Sequence, residues 1–356
     1  MGFKATRLLT EIIITFITLV FAGIGLFSIF SRSMSPENYN WVYFIALLFP
    51  VILIINLFLA LYWATKIRFW FFFSLIAILV QIPFISLNFQ LNSKPHIIDS
   101  NSISIISFNV DKFKQGNYSE NVKNLGFSIA HIKPDIICLQ EFSEDKLYKI
   151  DSVAKFLQMP YYSVGRNGLG VSDLIIFSKY PIKNSMSFIY NNTHNGSMYI
   201  DIILKNKRIR IINCHLQTTN ISQNKGTINS TLKFDKPKTQ IKAIQDIYLI
   251  LTKNSSRRAL QASDLRKLVD STNSSIILCG DLNDTPSSFT YKETKGELID
   301  GFIEAGYGIG YTYKYIFKIL RLDYIFHSKD FKCINYHSEG LNYSDHQVVY
   351  SIMKIE

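Results

Sequence analysis

The 356-residue chain has only four cysteines, no Cys-x-x-Cys pair, and almost no charge inside the long apolar runs of its first 93 residues. Each scarcity excludes something. Four cysteines are too few for a disulfide framework, and without a Cys-x-x-Cys pair a structural zinc site lacks its usual ligands. Cys138, Cys214 and Cys279 lie instead within apolar, strand-like runs, where a thiol behaves as a small buried hydrophobe. No internal repeat is evident.

The missing charges mark out the first region. Residues 1–93 hold five Lys/Arg and two Asp/Glu, and they contain three long apolar runs, Leu8–Phe30, Trp41–Ala64 and Phe69–Phe89. Each is near the ~20 residues that a helix needs to cross the hydrocarbon core. Glu11 sits near the start of the first run, at headgroup depth. Pro83 kinks the third, which a packed membrane helix tolerates. Lys4 and Arg7 would suit a signal peptide, but the apolar stretch is too long and no small-x-small cleavage site follows it. The region therefore reads as a membrane anchor of three transmembrane helices.

Orientation follows from the basic residues. Lys4 and Arg7 at the amino end, with Lys66 and Arg68 in the turn after the second run, outweigh the cations of the other connections. By the positive-inside bias, the amino terminus is cytoplasmic and everything after the third span lies outside. The expectation is an integral protein of a bacterial-type inner membrane, with the lipid bilayer as its partner and its outer domain beyond the cytoplasm.

Residues 94–356 suit one sizeable domain. Of the formal charge of +11, this part carries +8 once the anchor's residues are set aside. Such an excess attracts phosphate esters, nucleic acid or acidic lipid headgroups. A solvated basic face near a membrane would look the same. Strands are predicted at Ile103–Val110, Asp135–Gln140, Asp173–Ser178, Met198–Leu204, Arg208–Leu216, Ser275–Gly280, Arg321–Phe326 and Gln347–Met353, from their β-branched enrichment. Helical patterns fit Glu120–Ile132, Glu144–Leu157, Thr239–Thr252 and Arg258–Asp270. Several strands are continuously apolar, so both of their faces are covered. The expected class is α/β: a two-sheet α/β sandwich flanked by helices. The polar stretch Thr218–Lys238 reads as a long loop.

Polar residues gather at five strand ends. Ser107-Phe-Asn109 closes the first strand. Glu141 follows the apolar Ile136–Leu139 run. Asn213-Cys-His215-Leu-Gln217 places Asn213 and His215 on one strand face. Gly280-Asp281-Leu-Asn283 delivers a carboxylate and an amide at i, i+2, again on one face. The fifth combines Arg321-Leu-Asp323-Tyr with Ser344-Asp345-His346. Taken singly, a strand-end Asn or Asp is usually a turn former. A lone His is usually structural, and Glu141 would serve as a helix cap. Together and in this order they are improbable for a purely structural domain.

With these motifs in view, residues 103–352 resemble the endonuclease/exonuclease/phosphatase superfamily, which includes deoxyribonucleases, abasic-site endonucleases, inositol polyphosphate 5-phosphatases and neutral sphingomyelinases. The resemblance implies a role for each residue. Glu141 resembles the principal metal ligand, with Asn109 beside it and Asp345 assisting. Asp281 resembles the residue that activates the attacking water, oriented by Asn283. His346 resembles the histidine facing the scissile phosphate, with Asp323 setting its tautomer and charge. His215 resembles a second phosphate-facing histidine. The implied cofactor is Mg²⁺, with Mn²⁺ as a substitute, because carboxylate and amide oxygens suit a hard cation.

Chemistry supports the same assignment. Phosphodiester hydrolysis needs an in-line water, charge neutralisation on the nonbridging oxygens and help for the departing oxyanion. A bound cation, a carboxylate base and Asp-paired imidazolium groups supply these. Asp173 is a candidate for orienting His215. No tyrosine or arginine element of the kind nucleases insert into DNA grooves is recognisable. The His215-Leu-Gln217 triplet resembles the sphingomyelinase branch more than the abasic-site branch. The expected substrate is an anionic phosphodiester, either nucleic acid or a phospholipid headgroup. The competing reading is a binding or assembly protein on the same fold; the presence of Glu141, Asp281, Asn283, Asp323 and His346 argues against it. No protein partner is indicated.

Overall fold

A computed structural model of the chain describes residues 2–92, 101–113, 117–142, 149–167, 170–190, 193, 195–219, 237–315 and 318–356. The polar loop expected at 218–238 lies mostly outside the described residues, as does the first turn of the helix expected from Glu144.

The chain begins with helices α1 (Gly2–Ser31), α2 (Val42–Leu47), α3 (Phe49–Thr65) and α4 (Phe71–Asn88). Two of them, over Ala5–Ser31 and Phe71–Asn88, are long and apolar enough to cross a membrane. The expected second span, Trp41–Ala64, is not one helix. It breaks at Leu48, because Pro50 in the first turn of α3 brings no N–H and restricts the residue before it. That leaves α3 at 17 residues, roughly 25 Å at 1.5 Å per residue, short of the ~30 Å core. The expected three spans are corrected to two candidate spans among the described residues, with the shorter α3 running back between them to bring Arg68 beside Glu11.

These helices are packed inside out. Thr18, Ser28, Asn56, Ser74 and Gln81 are buried between them, while Leu8, Ile12, Phe16, Phe58, Phe72 and Ile76 face outward. Trp63 Nε1 donates to Thr18 Oγ1 at 2.8 Å and Asn56 Nδ2 to the Phe21 carbonyl at 3.1 Å. Gly25 lets α4 approach, since a Cβ there would stand 2.6 Å from Gln81 Nε2. Small residues and interhelical hydrogen bonds are what joins helices when the surroundings are as apolar as their side chains.

After the short strand β1 (Phe89–Leu91), the chain lays down β2 (Ser102–Asn109), α5 (Tyr118–Ile129), β3 (Ile136–Gln140), α6 (Ile150–Phe156), β4 (Tyr161–Asn167) and β5 (Gly170–Ser178). It then builds a second sheet with β6 (Ile182–Ile189), β7 (Gly196–Leu204), β8 (Lys207–His215), the helix α7 (Pro237–Asp270) and β9 (Ser275–Asp281). Next come α8 (Phe289–Lys295), β10 (Ile299–Asp300), α9 (Gly301–Ala305), β11 (Tyr307–Ile309) and β12 (Asp323–His327). Finally β13 (Phe331–Gly340) and β14 (Gln347–Ile355) return to the first sheet. The sheet orders are β13-β14-β2-β3-β5-β4 and β10-β12-β9-β8-β7-β6, and β1 pairs with β11 apart from both.

The two-sheet sandwich is the expected one, and alternation along the strands builds it. On β2, Ile103 and Ile105 enter the core between the sheets, while Ile106 and Phe108 pack outward beneath α5 and α6. On β9, Ile277 and Cys279 point inward, and Ile276 and Leu278 point out beneath α7 and α8. Both faces of each strand are buried, which explains the continuous apolar runs. All four cysteines are free and buried. The two helices expected at 239–252 and 258–270 are one, α7. The outer layer of the second sheet also takes in Phe49, Phe84 and Leu87 from the N-terminal helices, so that bundle packs directly on the domain.

Candidate active site

The parallel pairing of β8 with β9 sets His215 opposite Asp281, and the antiparallel pairing of β9 with β12 sets Asp323 opposite the same Asp281. Paired residues project from the same face, so three strands present His, Asp and Asp in one row. In the other sheet, β2 and β3 are parallel, with Asn109 opposite Gln140 and Glu141 one residue further on. Both rows open on the same edge of the sandwich.

There the side chains meet. Asn109 Nδ2 donates to Asp281 Oδ2 at 3.0 Å and lies 3.3 Å from Glu141 Oε1. His346 Nδ1 is 2.8 Å from Asp323 Oδ2, and its Nε2 is 3.7 Å from Asp281 Oδ2. His215 Nε2 lies 3.8 Å from Glu141 Oε1 and 3.9 Å from Asp281 Oδ2. That nitrogen is buried without a hydrogen-bond partner among the described residues, facing the space between the carboxylates. Glu141 is the most open of the set, its side chain 25% exposed.

The backbone bends to reach this arrangement. Glu141 and Asn283 both have left-handed φ, at 50° and 52°. For a glutamate that conformation is uncommon, and such strain concentrates at functional sites. Asn283 turns the chain so that its own N–H caps Asp281 Oδ1 at 2.8 Å, while its Nδ2 donates to the Leu216 carbonyl at 3.0 Å. Gly280 permits the approach of β8, since a Cβ at its φ of 153° would stand 2.1 Å from the Cys214 carbonyl oxygen.

Electrostatics separate the roles of the groups. Burial pulls the His346 pKa down, but Asp323 and Asp281 overcome it and raise it to about 10. His346 is therefore an imidazolium at neutral pH. Burial pushes the Asp281 carboxyl above its ordinary range, with His346 pulling against it, Asp323 adding to the rise, and His215 and the Asn109 hydrogen bond opposing it.

Metal binding can be judged from the donors. Asp281, Asp323 and His346 are clustered closely enough to hold a cation. A protonated imidazole bonded to Asp323 is a poor ligand, however, because its lone pair is already used. Glu141 is better suited: its carboxylate is partly exposed, and among the described residues it joins Asp281 and Asp323 around the one His346 imidazolium. Oxygen donors and surplus negative charge fit a hard divalent ion. Asn109 Oδ1 accepts the Asp111 N–H at 3.0 Å with one lone pair, and its Nδ2 faces the Glu141 and Asp281 carboxylates. Asp345 lies half-buried beside Tyr313, Lys314 and His346.

One expected pairing is not found. Asp173 forms an ion pair with Lys112 at 3.0 Å, placing it away from the proposed role beside His215. Asn213 also works differently from a site residue: its Nδ2 donates to the Leu139 and Ile175 carbonyls at 2.9 and 3.1 Å, and its Oδ1 accepts Gln140 Nε2 at 2.7 Å. It ties the two sheets together beneath the site. Supports without a sequence signal include Thr312, whose Oγ1 accepts the N–H groups of Leu322 and Asp323 at 2.9 and 3.0 Å. Ser344, the first residue of the Ser344-Asp345-His346 motif, donates to the Asn109 carbonyl at 2.7 Å and accepts the His346 N–H at 3.0 Å. Tyr313 sets its ring edge-on to His346 with centroids 5.3 Å apart.

Against known families, residues 106–346 match the endonuclease/exonuclease/phosphatase family over more than half of the chain. The chain belongs to that family. Residues 11–87 match a domain of unknown function. Among curated proteins none matches the chain. Solved structures with the same fold include a truncated TDP2 from Caenorhabditis elegans, with TM-score 0.50, 15% identity, and 71% of this chain and 97% of that chain covered. A D. rerio TDP2 complexed with a single-strand DNA product gives TM-score 0.51 and 17% identity over 72% of this chain and 100% of that chain. A family member from Beutenbergia cavernae gives 0.50 and 13% over 72% of each.

Proposed function

We propose that the chain is a membrane-held, divalent-metal-dependent phosphodiester hydrolase. The observation that carries the reading is the convergence of Asp281 with the His346–Asp323 pair and with Glu141, from four separate stretches of chain, on one edge of the sandwich.

In this reading Asp281 accepts the proton of the attacking water. Its carboxylate is aimed by the Asn283 N–H and the Asn109 amide. Its raised pKa makes it a stronger base than an exposed carboxylate. His346, kept protonated by Asp323, donates to a nonbridging oxygen where negative charge grows. His215 offers its unpartnered Nε2 to a second phosphate or leaving-group oxygen. Glu141, with Asn109 behind it and Asp345 at the rim, would hold Mg²⁺ or Mn²⁺, which supplies Lewis acidity and orients the phosphate.

Nucleic acid is the favoured substrate class. The +8 charge of the domain suits a polyanion, and a TDP2 of the same fold is complexed with single-strand DNA product. The inside-out helical bundle favours a phospholipid headgroup as a second reading. Purified full-length protein would be offered duplex DNA, single-stranded DNA, RNA, and sphingomyelin or phosphatidylcholine vesicles, each with Mg²⁺, Mn²⁺, Ca²⁺ or chelator. Metal-dependent hydrolysis that Glu141→Gln lowers by orders of magnitude is the expected result. Hydrolysis indifferent to both chelator and Glu141→Gln would remove the metal from the reading. Binding of a substrate without turnover would favour the assembly-protein alternative.

A further inference from the structure

Behind the candidate site lies a guanidinium for which the chemistry above has no use. Arg258, on α7, is 0% exposed. Its Nη1 donates to the Gln217 carbonyl at 2.9 Å, and its Nε lies 3.5 Å from Asp284 Oδ2. The Tyr43 ring of α2 covers it, with 5.3 Å from the guanidinium carbon to the ring centroid. Asp284 is buried as well, with Oδ1 accepting the Thr285 N–H at 3.0 Å.

These partners come from three parts of the molecule. Gln217 stands two residues beyond His215, and its N–H donates to Gln261 Oε1 at 2.7 Å, so α7 grips this stretch twice. Between them Leu216 donates its N–H to the Asp281 carbonyl at 3.0 Å and accepts Asn283 Nδ2 at 3.0 Å. Asp284 directly follows Asn283, whose N–H holds the Asp281 carboxylate. Tyr43 belongs to the N-terminal helices. One cation thus joins the His215 arm, the Asp281–Asn283 arm and the bundle.

A plain structural tie would not need a charge here. Burying a cation costs solvation that an apolar side chain of similar volume would not lose. Arginine suits the place: Nη1 reaches the Gln217 carbonyl while Nε faces Asp284 across an ion pair rather than a hydrogen bond, and the guanidinium lies by the Tyr43 ring. Removing it leaves Asp284 buried without its partner and frees the chain on both sides of the Asp281 row.

The bundle reaches the other arm of the site as well. Arg321, two residues before Asp323, donates Nη2 to the Leu87 carbonyl at the end of α4, at 2.8 Å, and Nη1 to Asp300 Oδ2 at 2.7 Å.

We propose that Arg258 is a positioning residue for His215 and the Asp281–Asn283 pair, and that Tyr43 completes it, so the N-terminal bundle is a working part of the catalytic unit rather than a detachable tether. The inference rests on the hydrolase reading above. Through Arg258, the spacing that leaves His215 Nε2 3.8 Å from Glu141 and 3.9 Å from Asp281 depends on a side chain more than 170 residues earlier in the chain.

The test uses the full-length protein in detergent micelles, with bis(4-nitrophenyl) phosphate and Mg²⁺ as the probe and thermal unfolding recorded for every variant. Tyr43→Ala should lower kcat at least tenfold with KM within threefold of wild type. Tyr43→Phe keeps a ring over the guanidinium and should lose less. Arg258→Lys keeps charge without the fork and should fall between wild type and Tyr43→Ala. Trp63→Phe disturbs the bundle away from Arg258 and should leave kcat unchanged. A folded Tyr43→Ala protein with wild-type kcat overturns the inference. So do equal losses in Tyr43→Ala and Trp63→Phe, which would reduce Tyr43 to bundle stability. Should Arg258→Lys fail to fold, the Tyr43 variants decide. An inactive wild type rejects the hydrolase reading and this inference with it, whereas an active wild type with indifferent variants rejects the inference alone.

Discussion

Asn109 and Asp281 stand on different sheets, and the Nδ2 of the first donates to the Oδ2 of the second at 3.0 Å. The same nitrogen lies 3.3 Å from Glu141 Oε1. One amide thus spans the candidate metal carboxylate and the candidate base, and its bond favours the charged form of Asp281.

That bond has a measurable consequence for Asn109→Ala. A hydrogen bond given to a carboxylate lowers its pKa, so losing it raises the Asp281 carboxyl further above its ordinary range. The base must be ionised to work, so the acid limb of the kcat–pH profile should move to higher pH. At neutral pH kcat should fall about tenfold, or about 1.4 kcal/mol of barrier. An acid limb unmoved in the variant would show that the limb reports some other group.

The His346–Asp323 pair sets the opposite limb. His346 titrates at about 10, above its unfolded value, so the pair stabilises the fold fully below about 6.5 and loses that contribution as pH rises through about 10. Asp323→Asn removes the nearer negative charge. The alkaline limb of kcat should then shift towards neutral pH, and the decline of melting temperature between pH 7 and 10 should flatten. An Asp323→Asn protein whose alkaline limb stays in place would separate Asp323 from the charge of His346.

Much of this centre was legible because it rides on strand ends. Asn109, Glu141, His215, Asp281, Asn283, Asp323 and His346 each stand at or near the end of a buried strand, and eight strands were visible as apolar, β-branched runs. The unread strands β4, β6, β10 and β13 are the edges of the two six-stranded sheets, and the short β1 and β11, also unread, pair only with each other. An edge strand has less to bury: β6, with Lys183, Asn184 and Ser185, is mostly exposed, and edges are commonly kept polar. Thr312 and Arg258 act through partners distant in sequence, so nothing local announces them. Asp173 misled for the converse reason, since a carboxylate near a strand also pairs with any cation in reach, here Lys112.

Gly280 shows how narrowly the backbone of the site is fitted. An added Cβ would press on the Cys214 carbonyl at 2.1 Å, from a φ that side chains avoid. Because β8 and β9 are both buried at this point, neither can step aside. Gly280→Ala should therefore destabilise the domain by more than about 2 kcal/mol, in the range of strained-backbone and overpacking changes. Equilibrium denaturation is the measurement. A cost below about 0.5 kcal/mol would mean that the β8–β9 junction has slack.

The bundle makes a topological prediction that the rest of the molecule constrains. Arg68 lies 3.6 Å from Glu11, so the basic turn after α3 sits beside the start of α1, on the side of Lys4 and Arg7. At the opposite end, Lys292 donates to Ser33 Oγ at 2.7 Å and Arg321 to the Leu87 carbonyl at 2.8 Å, so the domain caps the far end of α1 and α4. If the outward-facing apolar side chains lie in a bilayer, the positive-inside bias places the cationic end in the cytoplasm and the domain outside it. Protease added to intact spheroplasts should then digest the domain, while a cytoplasmic control protein survives. A domain cleaved only after lysis would reverse the orientation, and a full-length chain recovered from the soluble fraction without detergent would remove the bilayer altogether.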